Sequence, residues 1–320
     1  MLRALILAAV ALALVAGGAS AEPSGGAPAA LVAAERSSEL VGVDLTTGRV
    51  IGRVRVPRGP HNVTSYGARY VLVTSPPAGA VTLVDGFTRR VLRTWRGFGY
   101  PHDVEVEGNY AYVTDERRGQ LVVIDLTTRT IAARVAVGSR PHDVAVGDVA
   151  LVTHNPGNPK LTVVDVRRPR ASRVTGRLAV PAEGGAHDIS EQPDSANVYV
   201  TGWGSGGVGA INSGSGRVLW WRNVGVLIHH VQFDYYHGRR LWVTDHRTGD
   251  VLALASRNGR VLRRLRGCAG AHHVTFGGTA WVVAACHDSD ALAIWSQGSW
   301  KRRLVRVGDG PHGVAEVILP

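Results

Sequence analysis

The sequence predicts an all-β protein, a seven-bladed β-propeller of four-stranded blades whose last blade is closed by the N- and C-terminal strands. Three observations predict it. A histidine tag occurs seven times at a nearly even period. Each interval between tags holds four strand-like segments, and the two chain ends supply the complementary parts of one further blade.

The tag is an apolar or proline residue, then His, any residue, then Val or Ile. It occurs as Pro60-His61-Asn62-Val63, Pro101-His102-Asp103-Val104, Pro141-His142-Asp143-Val144 and Ala186-His187-Asp188-Ile189. Ile228-His229-His230-Val231, Ala271-His272-His273-Val274 and Pro311-His312-Gly313-Val314 complete the series. Successive histidines are 41, 40, 45, 42, 43 and 40 residues apart, the length of one propeller blade. In each repeat strand A follows the His. Strand B ends in Val-Thr, as in Tyr112-Val113-Thr114 and Trp242-Val243-Thr244. Strand C follows a Gly-containing turn, as in residues 120–125, and strand D is an Arg-Val segment such as residues 130–135. Apolar and polar residues mix at period two, which suits strands packed between neighbouring blades. Residues 30–34, 40–45 and 50–56 form three strands ahead of the first His, and residues 314–319 form one after the last. Together they make the seventh blade, which removes the open edges of the ring.

Composition agrees with short strands and tight turns, with 40 Gly and 15 Pro, whereas a single Met excludes a methionine-rich helical binding surface. Met1-Leu2-Arg3, an apolar run over residues 4–16 and a small-residue ending at Ala21 predict a secretory signal peptide over residues 1–21. A flexible linker over 22–29 and the propeller over 30–320 are expected to follow. The apolar run is too short to span a bilayer comfortably, so the expected location is periplasmic or secreted. The formal charge of +11 becomes +10 once Arg3 leaves. Export excludes nucleic acid as the expected reason for that surplus. The arginines concentrate on strand D, where charge keeps exposed edges from pairing with other chains. An acidic redox partner or an anionic surface is the sharper alternative. An exported chain also permits Cys268 and Cys286 to form a disulfide at the histidine-bearing rim, the alternative being a pair of soft metal ligands.

The stretches Tyr70-Val71-Leu72-Val73-Thr74, Tyr112-Val113-Thr114-Asp115 and Val198-Tyr199-Val200-Thr201 resemble the strand motif of YVTN propellers. That resemblance spans the mature chain, although the closing Asn is replaced each time. It implies the fold and leaves the activity open.

Of the 13 histidines, the seven tag residues open strand A, and His154, His246 and His287 follow strand B at the same rim. His230 and His273 adjoin tag residues, while His237 is expected on the opposite face. A repeated His can also be a packing element, and its strand parity with the Val or Ile two residues later would point it between blades. The flanking residues vary among copies while the His does not, which favours a functional ring. The expected metal ligands are therefore His61, His102, His142, His187, His229, His272 and His312. Imidazoles suit copper and zinc rather than calcium or magnesium. Seven exceed the needs of one ion and suggest a multinuclear copper cluster, with zinc the second choice. Asp103, Asp143 and Asp188 could orient the imidazoles. Binding is expected to weaken below about pH 6 as imidazoles protonate.

Seven histidines at one propeller mouth resemble the catalytic domain of nitrous oxide reductases. That resemblance implies a copper-sulfide cluster, reduction of nitrous oxide to dinitrogen, and an external electron donor such as a cupredoxin or cytochrome. No cupredoxin domain is expected within this chain, unlike those enzymes. A small-molecule substrate is the other expected partner, and a homodimer is a candidate assembly. The competing readings are a divalent-metal lyase or lactonase, with Asp115 and Asp245 as carboxylates, and a non-catalytic metal-binding or interaction propeller. No nucleophile elbow, phosphate loop or Cys-x-x-Cys supports other chemistry.

Overall fold

The computed structural model describes residues 26–182 and 184–320 and places them in seven antiparallel four-stranded sheets. The expected signal peptide lies outside the described residues. Blades 1 to 6 occupy residues 63–96, 101–136, 141–179, 186–223, 228–266 and 271–306. Each runs A-B-C-D in space as in sequence. Blade 7 takes its inner strand from Pro311–Leu319 and its other three from Ala27–Ala34, Glu39–Asp44 and Val50–Arg55. The joining pair starts at Ala27, opposite Leu319, so the strand takes in residues 27–29, which were expected to be linker.

Period two does the packing. In blade 2, Ala111, Val113, Val122 and Ile124 face Leu72 and Val81 of blade 1. The intervening Tyr112, Leu121 and Val123 face Val144 and Val152 of blade 3. Every inner strand thus divides its side chains between two neighbours, and each buried side chain of this size contributes about 1.5–3 kcal/mol. The C-to-D turns follow from an aspartate at the end of strand C. Asp85 Oδ1 accepts the N–H groups of Phe87 and Thr88, and Asp125 Oδ1 those of Thr127 and Thr128. On the outermost strands the arginines are exposed, as in Val261–Arg266, while Leu265 turns inward.

A β-bulge at the start of strand A positions the site. In blade 2, Pro101 pairs with Asp115 and Val104 with Val113, so His102 and Asp103 together oppose Thr114. The same shift recurs in blades 3 to 7. The extra residue breaks the alternation that would have turned the histidines between blades. The threonine opposite the bulge secures it. In blades 1 to 5 its Oγ accepts the N–H of the residue after the His and donates to the carbonyl of the next blade's ring histidine. Thr114, for example, accepts from Asp103 at 3.0 Å and donates to His142 at 2.6 Å. Thr74, Thr153, Thr201 and Thr244 do the same. The recurrent Val-Thr ending is therefore a stitch between blades.

Candidate metal centre

The seven tag histidines form a closed circuit at one mouth of the channel. Ring centroids are 4.6 Å apart from His61 to His102, 3.7 Å to His142, 5.0 Å to His187 and 4.5 Å to His229. They continue at 3.7 Å to His272, 3.8 Å to His312 and 3.5 Å back to His61. All seven line one cavity of about 240 Å³. Nδ1 of His61, His142, His229, His272 and His312 is buried and has no hydrogen-bond partner among the described residues. The other two are engaged: His187 Nδ1 lies 2.9 Å from the His229 carbonyl, and His102 Nδ1 lies 3.2 Å from both the His142 carbonyl and Asp143 Oδ1.

Burial pushes the imidazole pKa well below its ordinary value at His61, His142, His229, His272 and His312, and to about 4 at His187. Mutual repulsion among the rings lowers it further in each case. His102 is the exception. Burial pulls it down, but the hydrogen bond and charge of Asp143 outweigh burial and leave it raised. Six of the seven imidazoles therefore stand neutral at pH 7 with a lone pair available. His229, His272 and His273 bring donor atoms within 4.8 Å of one another, as do His102, His142 and Asp143. This chemistry fits an imidazole-loving transition metal.

The remaining predicted residues divide into layers. Six of the seven residues that follow a ring histidine line a deeper cavity of about 260 Å³, namely Asn62, Asp103, Asp143, Asp188, His230 and His273, and Asp143, Asp188 and His273 border the ring cavity as well. At the seventh position, Gly313, a Cβ would stand 2.5 Å from the His61 carbonyl, which explains the glycine. Of the three aspartates, only Asp143 contacts a ring imidazole, that of the preceding blade. Asp103 accepts the Val144 N–H and the Asn62 side-chain amide, and Asp188 accepts the Val231 N–H, so these two bind blade to blade.

Above the ring stand His246, 5.3 Å from His272, and His287, 5.7 Å from His272. His154 does not join them. Its two nitrogens face the Ser139 carbonyl and Thr162 Oγ within its own blade. Asp115 and Asp245, expected as mouth carboxylates, are fully buried and hold the loop before the ring histidine, through the N–H groups of Gly99 and Tyr100 and of Val226 and Leu227. Cys286 occupies the same strand-end position in blade 6 and is disulfide-bonded to Cys268, which excludes both as metal ligands. His237 binds Asp234 in the expected A-to-B turn.

Sequence reasoning missed Trp203. It stands edge-on to His142 at 5.0 Å and to His187 at 4.3 Å, over the widest gap in the circuit. It follows strand B of blade 4 just as His246 and His287 follow theirs, and that shared position was the available clue.

Residues 98–129 match the LVIVD repeat. No curated protein matches the chain. Among solved structures it is similar to a functionally unknown protein from Desulfotomaculum acetoxidans, with a TM-score of 0.81, 11% identity and coverage of 91% of this chain and 99% of that one. It is similar to the periplasmic gluconolactonase PpgL of Pseudomonas aeruginosa, with a TM-score of 0.75, 19% identity and coverage of 92% and 99%. Hydrazine synthase of Kuenenia stuttgartiensis gives 0.74, 16%, 85% and 92% respectively. At these identities the likeness shows the fold alone. The chain is a seven-bladed β-propeller that carries an LVIVD repeat.

Proposed function

We propose that the chain is an exported metal-binding propeller whose ring of seven histidines holds a transition-metal ion such as zinc or copper. The observation that carries this reading is the closed circuit of imidazoles, five of them with a buried nitrogen that lacks any partner among the described residues. An ion would supply what those nitrogens lack. The Cys268–Cys286 disulfide and the apolar N-terminal segment support an oxidising, extracytoplasmic location. A periplasmic protein among the similar folds agrees with it.

The test is metal content after loading with zinc or copper and desalting. His142→Ala and His272→Ala should each weaken binding at least tenfold, and His237→Ala should leave it unchanged. Equal retention by all three variants would overturn the reading.

A divalent-metal lyase or lactonase is the second reading. The His102, His142 and Asp143 set offers three ligands and leaves positions for water or substrate, the pattern of catalytic zinc sites. Zinc-loaded protein assayed on lactones, with His142→Ala as control, decides it. Nitrous oxide reduction at a copper cluster rests only on the number and convergence of the histidines and requires an external electron donor. Copper-loaded, viologen-reduced protein that consumes no nitrous oxide above the His142→Ala control removes it.

A further inference from the structure

Deeper in the channel, one residue along from the ring, a second set of donors converges. We propose that Asp188, His230 and His273 form a second cation site, one layer below the ring and bordering its cavity through Asp188 and His273, selective for a divalent transition metal. Their donor atoms lie within 4.8 Å of one another. They come from three successive blades, each fixed by a strand-entry bulge. Ligand atoms around a tetrahedral zinc lie about 3.4 Å apart, so the side chains must draw together on binding. Two imidazoles and a carboxylate favour zinc, cobalt or nickel over calcium or magnesium.

A second observation points to a cation. Asn62 lines the same cavity and is only 4% exposed. Its Nδ2 donates to Asp103 at 2.9 Å, which fixes the amide and leaves Oδ1 buried with no hydrogen-bond partner among the described residues. A hydrated cation in this cavity would offer that oxygen the donor it lacks. The site goes beyond the proposed ring function, since the ring could fill without it.

Occupancy has a local consequence. The Val274 N–H donates to His230 Nδ1 at 3.3 Å, so free neutral His230 carries its proton on Nε2 and turns that nitrogen toward Asp188, 3.9 Å away. Coordination through Nε2 moves the proton to Nδ1 and releases the Val274 amide.

The experiment titrates the full chain with zinc and reads both metal stoichiometry and the Val274 amide resonance. Wild-type protein should retain one equivalent more than Asp188→Asn or His230→Gln. His142→Ala should lose ring metal but keep that equivalent, and the Val274 amide should shift as it fills. Stoichiometry unchanged by Asp188→Asn, or a Val274 amide unmoved throughout the titration, overturns the proposal while leaving the ring intact. If His142→Ala and Asp188→Asn each abolish all binding, the two layers are one site and the proposal of a separate one falls. The Val274 readout uses wild-type protein and so stands even where a variant fails to fold.

Discussion

At the scale of single residues, the imidazoles owe their availability to burial. Because a depressed pKa keeps an imidazole neutral at lower pH, protons compete less well with metal. His187 titrates near 4, and five other ring members are pushed in the same direction. Metal should therefore be retained below the ordinary histidine range near 6.5 and released only as pH falls toward the value of about 4 reached at His187. This moves the onset expected from the sequence, about pH 6, downward. Metal content after dialysis across pH 7 to 3.5 checks it, and half-release near 6.5 would refute the neutral-ring picture. The stitching threonines make a second case. Thr153→Val keeps the shape but removes a hydrogen bond to the His187 carbonyl and an acceptor for the Asp143 N–H, both buried. The loss should be about 1–3 kcal/mol in denaturant unfolding. The positions of all seven ring histidines were legible from the repeat. The orientation of their side chains was not, because parity arguments assume an unbroken strand and the bulge depends on tertiary hydrogen bonds. Nor was the fate of His154, which serves its own blade through Thr162 and Ser139.

At the scale of elements, the residue that ends strand B serves one end in five of the seven blades through four kinds of side chain. Ser75 donates to the Pro57 carbonyl, Asp115 and Asp245 accept loop N–H groups, His154 faces the Ser139 carbonyl, and Cys286 is bonded to Cys268. Each ties the loop that precedes a ring histidine. The disulfide is thus the covalent version of a repeated clamp. It closes a separation of 18 residues, so the double replacement Cys268→Ser with Cys286→Ser should cost about 3 kcal/mol in the chain-entropy model. Equilibrium unfolding measures that loss. Unchanged stability would show that the noncovalent contacts of the loop suffice. The pairing of the cysteines could be anticipated from their places before strand A and after strand B. That Asp115 and Asp245 perform the same task could not, since a carboxylate near a mouth looks equally like a ligand until its partners are seen.

At the scale of the whole molecule, blade 7 holds the ring shut through pairing from Ala27–Leu319 to Val32–Val314. Removing residues 310–320 exposes the apolar faces of Val283 and Ile294 in blade 6, which pack on blade 7, and those of Val71 and Val73 in blade 1. Loss of cooperative thermal unfolding or of solubility is the expected result. A truncated chain with the wild-type melting transition would refute closure by the terminal strands. This closure was the most legible feature of the sequence, because three strands at one end and one at the other can only complete each other.

The closing strand also carries His312, whose ring touches His61 on one side and His272 on the other. During synthesis that segment follows every other blade, so a chain emerging in order has six imidazoles on an open arc until its final strand docks. The centre acquires its full ligand set in the same event that completes the fold. A metal ion that prefers the closed circuit consequently acts as a latch on the finished molecule rather than as a template for its early folding.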